Sequence, residues 1–198
     1  MPAATSKIVI VNRALQMLGQ PQITSLSENS RSARAVLRAY DSVFLSELEM
    51  HTWSFSIRRA NLAADPAAPI FGKARYFPLP GDFLFLAPEE TTLSAPNRRD
   101  YEQETYNNTL CIVSDEQSPL PIRYVSSNIT ESSFSATFAE AFAAALAMAC
   151  CEDVTNSTTK LQGLRRDYES AMARARRRND IQKAPRKSPT CSWITERD

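Results

Sequence analysis

The chain has 198 residues, of which 43% are hydrophobic and 23% are charged, and its formal net charge at pH 7 is +1. This composition predicts a globular chain with one ordinary domain or two small ones, and it excludes a mainly disordered protein. The longest apolar run, residues 141–151, is too short to span a bilayer. The apolar stretch at residues 8–11 is too short for a signal peptide.

Two helices are predicted at the start of the chain. Apolar residues at helical spacing predict the first over residues 6–18, with Gly19 and Pro21 ending it. The second is predicted to reach residue 50, and both Ser25 and Asn29 are possible N-caps for it. Its apolar stripe comprises Ala33, Val36, Leu37, Tyr40, Phe44 and Leu48. Two striped helices joined by a short link are typical of an antiparallel hairpin.

The middle of the chain has the alternating pattern of strands. Trp53, Phe55 and Ile57 alternate with polar residues and predict a strand. Further strands are predicted over residues 83–86, 101–106, 109–113 and 122–126, with a hairpin turn at residues 107–108. We therefore expect an antiparallel β unit of four to six short strands.

Helical patterns return near residue 135 and end near residue 178. Ser135 is the expected N-cap of an alanine-rich third helix, and a fourth is predicted over residues 157–178. The predicted fold class is α+β: a helical bundle formed by the N-terminal and C-terminal helix pairs, with an inserted antiparallel β domain and a C-terminal arm. The boundaries are residues 1–52 and 130–180 for the bundle, 53–129 for the insertion and 181–198 for the arm.

Residue types that carry catalysis or hold cofactors are scarce. His51 is the one histidine, and its place at a helix end predicts a structural role rather than a metal or triad site. The four glycines are too far apart for a phosphate-binding loop. The four cysteines form no CxxC pair, which indicates reduced thiols. We expect no cofactor, no metal and no catalytic residue.

Acidic residues of the β unit leave one enzymatic alternative open. Glu102 and Glu104 share a strand face, and Asp115 and Glu116 are predicted in a loop. A glycosidase needs two carboxylates at a defined separation in a cleft, and sequence spacing does not show one. Solvated surface charge is the plainer interpretation, and a carboxylate-dependent hydrolase of cell-wall glycans or envelope polysaccharide is the alternative hypothesis.

Basic residues crowd the end of the fourth helix and continue into the arm. Ten Lys or Arg residues stand against three Asp or Glu residues between positions 160 and 187. Three interpretations fit: cations that match the helix dipole, docking on an acidic protein surface, or contact with nucleic-acid phosphates, which makes a nucleic-acid-binding module the second alternative. The candidate interaction residues are Arg174, Arg176, Arg177, Arg178, Lys183, Arg186, Lys187 and Trp193.

Four parts of the chain carry recognisable motifs. Residues 11–19 (VNRALQMLG) contain N-x-A-L-x-x-L-G and are followed by residues 23–26 (ITSL), which fit I-x-S-L. Residues 51–59 (HTWSFSIRR), residues 76–82 (YFPLPGD) and residues 138–141 (FAEA) of the predicted third helix follow in order. Together these segments resemble the tail tubular protein A family, the head–tail adaptors of short-tailed bacteriophages. The family's H-x-W-x-F-A-x-R block has alanine where this chain has Ser56, its Y-x-L-P-x-D segment is one residue shorter, and FAEA resembles its returning helix.

The resemblance implies a structural virion protein that forms a ring, commonly of twelve subunits, between the portal and the tail nozzle. The helical part then forms the ring body, the β part faces the nozzle or the fibres, and the C-terminal segment engages the portal. Phage DNA passes through the central channel. The implied partners are other copies of the chain, the portal protein, the nozzle protein and possibly tail fibres, with no membrane and no small-molecule substrate. The implied location is the neck of the virion, assembled in the host cytoplasm.

Overall fold

A computed structural model describes residues 5–87 and 100–182 and shows an α+β fold. The described chain divides into two compact units. The helical unit consists of residues 5–56 and 126–182, and the β unit consists of residues 57–87 and 100–125. The predicted boundaries at 52 and 130 therefore lie four residues away from the observed ones on each side.

Four helices build the helical unit: α1 (Lys7–Leu18), α2 (Arg31–Glu49), α3 (Ala136–Thr155) and α4 (Thr158–Gln182). The helix α3 packs against each of the other three. The N-terminal and C-terminal helix pairs therefore share one interior, which is the bundle that the apolar stripes predict. Asn156, in the left-handed conformation with φ of 50°, ends α3 and lets the chain turn directly into α4.

The centre of α3 is buried around its whole circumference. Every residue from 141 to 147 is buried, and five of these seven residues are alanine. Small side chains let the neighbouring helices approach closely from several directions. A helix that is apolar on all sides is typical of a buried position, so α3 forms the axis around which the unit packs.

The start of α2 differs from both predicted alternatives. Ser30 is the N-cap, and its hydroxyl accepts a hydrogen bond from the Ala33 amide at 3.2 Å. Ser25 is instead used in a local turn, where its Oγ accepts from the Ser27 amide. At the start of α3 the predicted cap is confirmed, because Ser135 Oγ accepts from the Phe138 amide at 3.2 Å.

The predicted strand at Trp53 is wrong over its first residues. Ser54–Ser56 form a short 3₁₀ helix, and the strand begins only at Ile57. The indole ring of Trp53 is buried, and its Nε1 donates to the carbonyl of Glu47 at 3.0 Å. The Trp53 carbonyl in turn accepts from both the amide and the hydroxyl of Ser56. This local hydrogen bonding replaces the strand ladder.

The end of α4 also lies beyond the predicted position. The helix reaches Gln182, so residues 181 and 182, predicted as the start of an extended arm, are helical. The remainder of the predicted arm lies outside the described residues.

Six strands form two three-stranded sheets in the described β unit: β1 (Ile57–Leu62), β2 (Arg75–Pro78), β3 (Phe83–Leu86), β4 (Tyr101–Tyr106), β5 (Thr109–Ser114) and β6 (Leu120–Ser126). The strand orders are β1-β6-β3 and β2-β5-β4. The pairs β1–β6, β2–β5 and β4–β5 are antiparallel. The predicted hairpin of β4 and β5 is confirmed: Asn107 and Asn108 both have positive φ, at 48° and 60°, as a two-residue hairpin turn requires.

Residues of both sheets meet in the core of the β unit. Phe77 of β2 and Ile112 of β5 pack with Ile122 and Tyr124 of β6 and with Leu62 of β1. On the opposite side of β5, Cys111 and Val113 pack with Tyr76, whose ring stacks on Tyr106 with centroids 4.4 Å apart. The β unit therefore has a hydrophobic interior of its own.

We expect Ala143→Leu, at a fully buried position of α3, to destabilise the helical unit by about 1–3 kcal/mol, because the added carbons overpack a filled interior. Guanidinium denaturation followed by far-ultraviolet circular dichroism measures the loss, since all four α-helices lie in this unit. Ala149→Leu, at an exposed position of the same helix, is the matched control and should change stability little. Equal effects at the two positions would contradict the central placement of α3.

Candidate functional site

Asn179 of α4 is the centre of a polar group that joins the end of α4 to the segment after α2. Its Oδ1 accepts from the amide and the hydroxyl of Ser54, at 2.8 and 2.7 Å. Its Nδ2 donates to the carbonyl of Thr52 at 3.1 Å and lies 2.9 Å from Nε2 of His51. Both the oxygen and the nitrogen of this buried amide are therefore hydrogen-bonded, which holds the end of α4 against residues 51–54.

A second contact between α2 and α4 involves a carboxylate. Glu47 is only 5% exposed, and its carboxylate accepts from the hydroxyl of Tyr168 at 2.9 Å. Burial raises the pKa of the Glu47 carboxyl, while the Tyr168 hydrogen bond and the charge of Arg176 oppose the shift. Burial and the same hydrogen bond raise the pKa of the Tyr168 hydroxyl to about 12. We name Glu47, His51, Trp53, Ser54, Tyr168, Arg176 and Asn179 the helix-end cluster.

Aromatic rings fix the position of this segment from its other side. The ring of Trp53 meets His51 edge to face at 4.7 Å and Phe138 at 4.6 Å. Phe55 packs on both Phe134 and Phe138. The block HTWSF therefore contributes its rings to the interior beside α3. Its histidine lies against the Asn179 amide and the Trp53 indole, and His51 Nε2 is 3.7 Å from Asp180 Oδ1.

The arginines at the end of α4 have different surroundings. Arg176 is half-buried and contributes to the field at Glu47 and Tyr168. In the part of the chain that the structure describes, its Nε makes no hydrogen bond. Arg174, Arg177 and Arg178 are exposed, and Arg174 donates to Ser170 Oγ at 2.7 Å. The other candidates, Lys183, Arg186, Lys187 and Trp193, lie outside the described residues.

The motif at the start of the chain is held together by its own asparagine. The side chain of Asn12 donates to the carbonyl of Ile23 at 3.0 Å and accepts from its amide at 2.8 Å. These two bonds join the segments VNRALQMLG and ITSL. Arg13, next in the chain, forms a two-pronged ion pair with Glu140 of α3, with Nε–Oε2 at 2.9 Å.

The carboxylates of the β unit occupy two separate places. Glu102 and Glu104 are exposed on β4, opposite Val113 and Cys111 of β5, and a hydrogen bond with Glu104 raises the pKa of Tyr76. Asp115 instead supports a loop, because its Oδ1 accepts from the Ala74 amide at 2.9 Å. A depression of about 280 Å³ near that loop is lined by Lys73, Asp100, Ser114, Asp115, Glu116 and Gln117.

The three described cysteines are buried free thiols. Burial raises the pKa of Cys150 to about 11 and also raises that of Cys111. Cys191 lies outside the described residues. Within residues 5–87 and 100–182, the structure contains no grouping of three His, Cys, Asp or Glu side chains suited to a metal ion. Over the same residues, no helix is long and apolar enough to cross a membrane.

Comparison with protein-family models and with curated protein sequences gives no match for this chain.

Sequence reasoning did not find Asn179, Glu47 or Tyr168 as a connected group. A signal was nevertheless present in the chain. Asn179 falls on the same α4 face as Tyr168 and Met172, at helical spacing, so it is a polar residue on a stripe that is otherwise buried. A buried polar side chain needs hydrogen-bond partners, but the sequence does not say which segment supplies them.

We expect Asn179→Ala to lower the free energy of unfolding by about 1–3 kcal/mol, because the Ser54 amide and the Thr52 carbonyl lose their partner. Thermal unfolding at neutral pH checks this result. Glu169→Ala, at an exposed position of the same helix, should stay within about 0.5 kcal/mol of the original chain. An unchanged Asn179→Ala variant would show that this amide does not fix α4.

We expect Glu47→Gln to gain stability relative to the original chain as the pH rises from 4.5 towards 7. The raised pKa of Glu47 means that the folded chain holds this proton more tightly than the unfolded chain does. The stabilisation from the protonated group is therefore complete below the ordinary value of 4.5 and is lost as the pH rises through the raised pKa. Glutamine stays neutral and keeps the oxygen that accepts from Tyr168.

Urea denaturation at several pH values measures the difference between the two chains. Glu49→Gln, at an exposed position of the same helix, is the matched control for the substitution itself. If the free energy of unfolding of Glu47→Gln falls relative to that of the original chain as the pH rises, the attraction of the Glu47 carboxylate to Arg176 is larger than the cost of its burial.

Proposed function

We propose that this protein is a structural head–tail adaptor of a short-tailed phage virion. Copies of the chain form a ring between the portal and the tail nozzle, around the channel through which the DNA leaves. The helical unit forms the ring body, the β unit faces the nozzle or the fibres, and the segment after α4 engages the portal.

The observation that carries the proposal is the role of the residues in the adaptor-like motifs. Asn12 bonds the two N-terminal segments together, Arg13 pairs with Glu140 of the returning helix, and Trp53 packs against Phe138. These contacts connect three separate pieces of the resemblance within one bundle. The motifs that resemble the adaptor family therefore pack together in the helical unit. This favours a helical bundle shared with that family over a set of unrelated chance matches.

Surface properties also favour assembly. Three arginines on the outside of α4 provide charge for a protein or phosphate partner, and several large apolar side chains are exposed on both units. Closed rings repeat one heterologous interface, so each copy must present two different contact surfaces. A chain with exposed features on both units meets that requirement.

We expect electron microscopy of the purified protein, alone or mixed with the portal protein, to show rings of uniform size. Removal of residues 183–198 should leave the helical unit folded and abolish co-sedimentation with the portal, because the proposed portal segment is missing. Chains that remain monomeric at every concentration, with portal present, would refute the adaptor function. DNA binding that weakens steeply with salt, without any ring, would instead favour the nucleic-acid-binding alternative.

A further inference from the structure

The loop between β1 and β2 carries two bulky apolar side chains with almost no cover. Ile70 is 98% exposed and Phe71 is 88% exposed. Single exposed apolar residues are common on protein surfaces, but a contiguous pair of this size exposed so fully marks a surface that contacts something else. We name Ile70 and Phe71 the apolar tip.

Hydrogen bonds hold the base of this loop in place. The Asp65 amide donates to the carbonyl of Tyr76 at 2.8 Å, and its Oδ1 accepts from the Ala67 amide at 2.9 Å. On the other arm, the Ala74 amide donates to Asp115 Oδ1 at 2.9 Å. A loop fixed in this way loses little freedom when its tip is buried by a partner, which favours binding.

The surroundings of the tip are acidic. Lys73 lies between the carboxylates of Asp100 and Asp115, with Nζ 3.4 Å from Asp115 Oδ2, so its charge is already matched. Asp65 and Glu116 add further negative charge at the base of the loop, and Arg75, which donates to the carbonyls of Asp115 and Glu116, offsets part of it. With four carboxylates against two cations, the described base stays net negative. An anionic membrane surface would repel this base. A protein surface with an apolar centre and a basic edge fits it best.

The outer face of α4 has that chemistry. Arg177 and Arg178 each lie three or four residues from both Arg174 and Ile181, so the four side chains border one face of the helix. All four are exposed, and Ile181 is 67% exposed. We name these four residues the arginine-edged patch.

We propose that the apolar tip of one copy docks on the arginine-edged patch of a second copy, with the acidic base of the loop facing the arginines. The inference rests on the proposed ring, for which it names the interface. Tip and patch lie on different units and differ in shape and charge, so the contact is heterologous and propagates from copy to copy until the ring closes.

The test uses two variants of the full chain, a tip variant (Ile70→Ser, Phe71→Ser) and a patch variant (Arg177→Glu, Arg178→Glu, Ile181→Ser). Sedimentation velocity over a range of concentrations, with and without portal protein, measures association. We expect each variant alone to associate at least about tenfold more weakly than the original chain, because central apolar and arginine contacts carry most interface energy. In an equimolar mixture, the intact tip of the patch variant can dock on the intact patch of the tip variant. Each pair of chains then has one working contact, so the mixture should form 1:1 dimers and nothing larger.

Two control variants separate this contact from general loss of apolar surface. Val9→Ser and Leu110→Ser each remove an exposed apolar side chain, 54% and 41% exposed, and both should assemble like the original chain. Circular dichroism of every variant should match that of the original chain, since all substituted residues are exposed.

The outcomes distinguish the interface from the function. If the original chain forms rings and the tip or the patch variant forms the same rings, the proposed interface is wrong and the adaptor proposal stands. An original chain that stays monomeric, even with portal, would overturn both. Tip-dependent binding to vesicles of phosphatidylcholine and phosphatidylglycerol, with no effect on assembly, would assign the tip to a membrane and also overturn the interface.

Discussion

The all-round burial of the centre of α3, residues 141–147, is the constraint on which the helical unit depends. A helix segment that presents alanine around most of its circumference has no polar face to expose, so the three other described helices cover it. Those helices come from both ends of the chain, which obliges residues 57–125 to leave and return as an insertion. Close approach to alanine backbones also places Arg13 of α1 within reach of Glu140, and brings α2 and α4 near enough to share the Glu47–Tyr168 contact.

The sequence predicted the regular elements well because their patterns are local. The stripes of α1, α2 and α4, the cap at Ser135 and the Asn107-Asn108 turn each depend on residues a few positions apart, and each is found as predicted. The failures arose where a long-range contact decided the backbone. Trp53 looks like part of a strand, yet its indole is drawn into the bundle, and the chain winds into a 3₁₀ turn before the strand can begin.

The site was less predictable than the fold for the same reason. The sequence placed the arginines of α4 as a group on one helix end, but it could not separate Arg176, which is half-buried and whose charge opposes the rise in the pKa of Glu47, from its exposed neighbours. Nor could it pair Asn179 with residues 51–54, which lie more than 120 positions away. A polar residue within an apolar stripe indicates that it has a hydrogen-bond partner, but the packing of the helices decides which residue that partner is. The prediction of a structural role for His51 used only its position after α2, and the structure adds its neighbours Trp53, Asn179 and Asp180.

The buried thiols have a consequence for the chemical durability of the protein. A free cysteine reacts with peroxide or with a disulfide through its thiolate. A pKa of about 11 leaves the Cys150 thiol almost wholly protonated at neutral pH. Cys111 is shielded by the same kind of interior, in the other unit. These sulfurs therefore behave as small apolar fillers rather than redox-active groups. Transfer from a reducing compartment to an aerated medium should leave both cores unaltered, without cross-links to neighbouring chains through these positions.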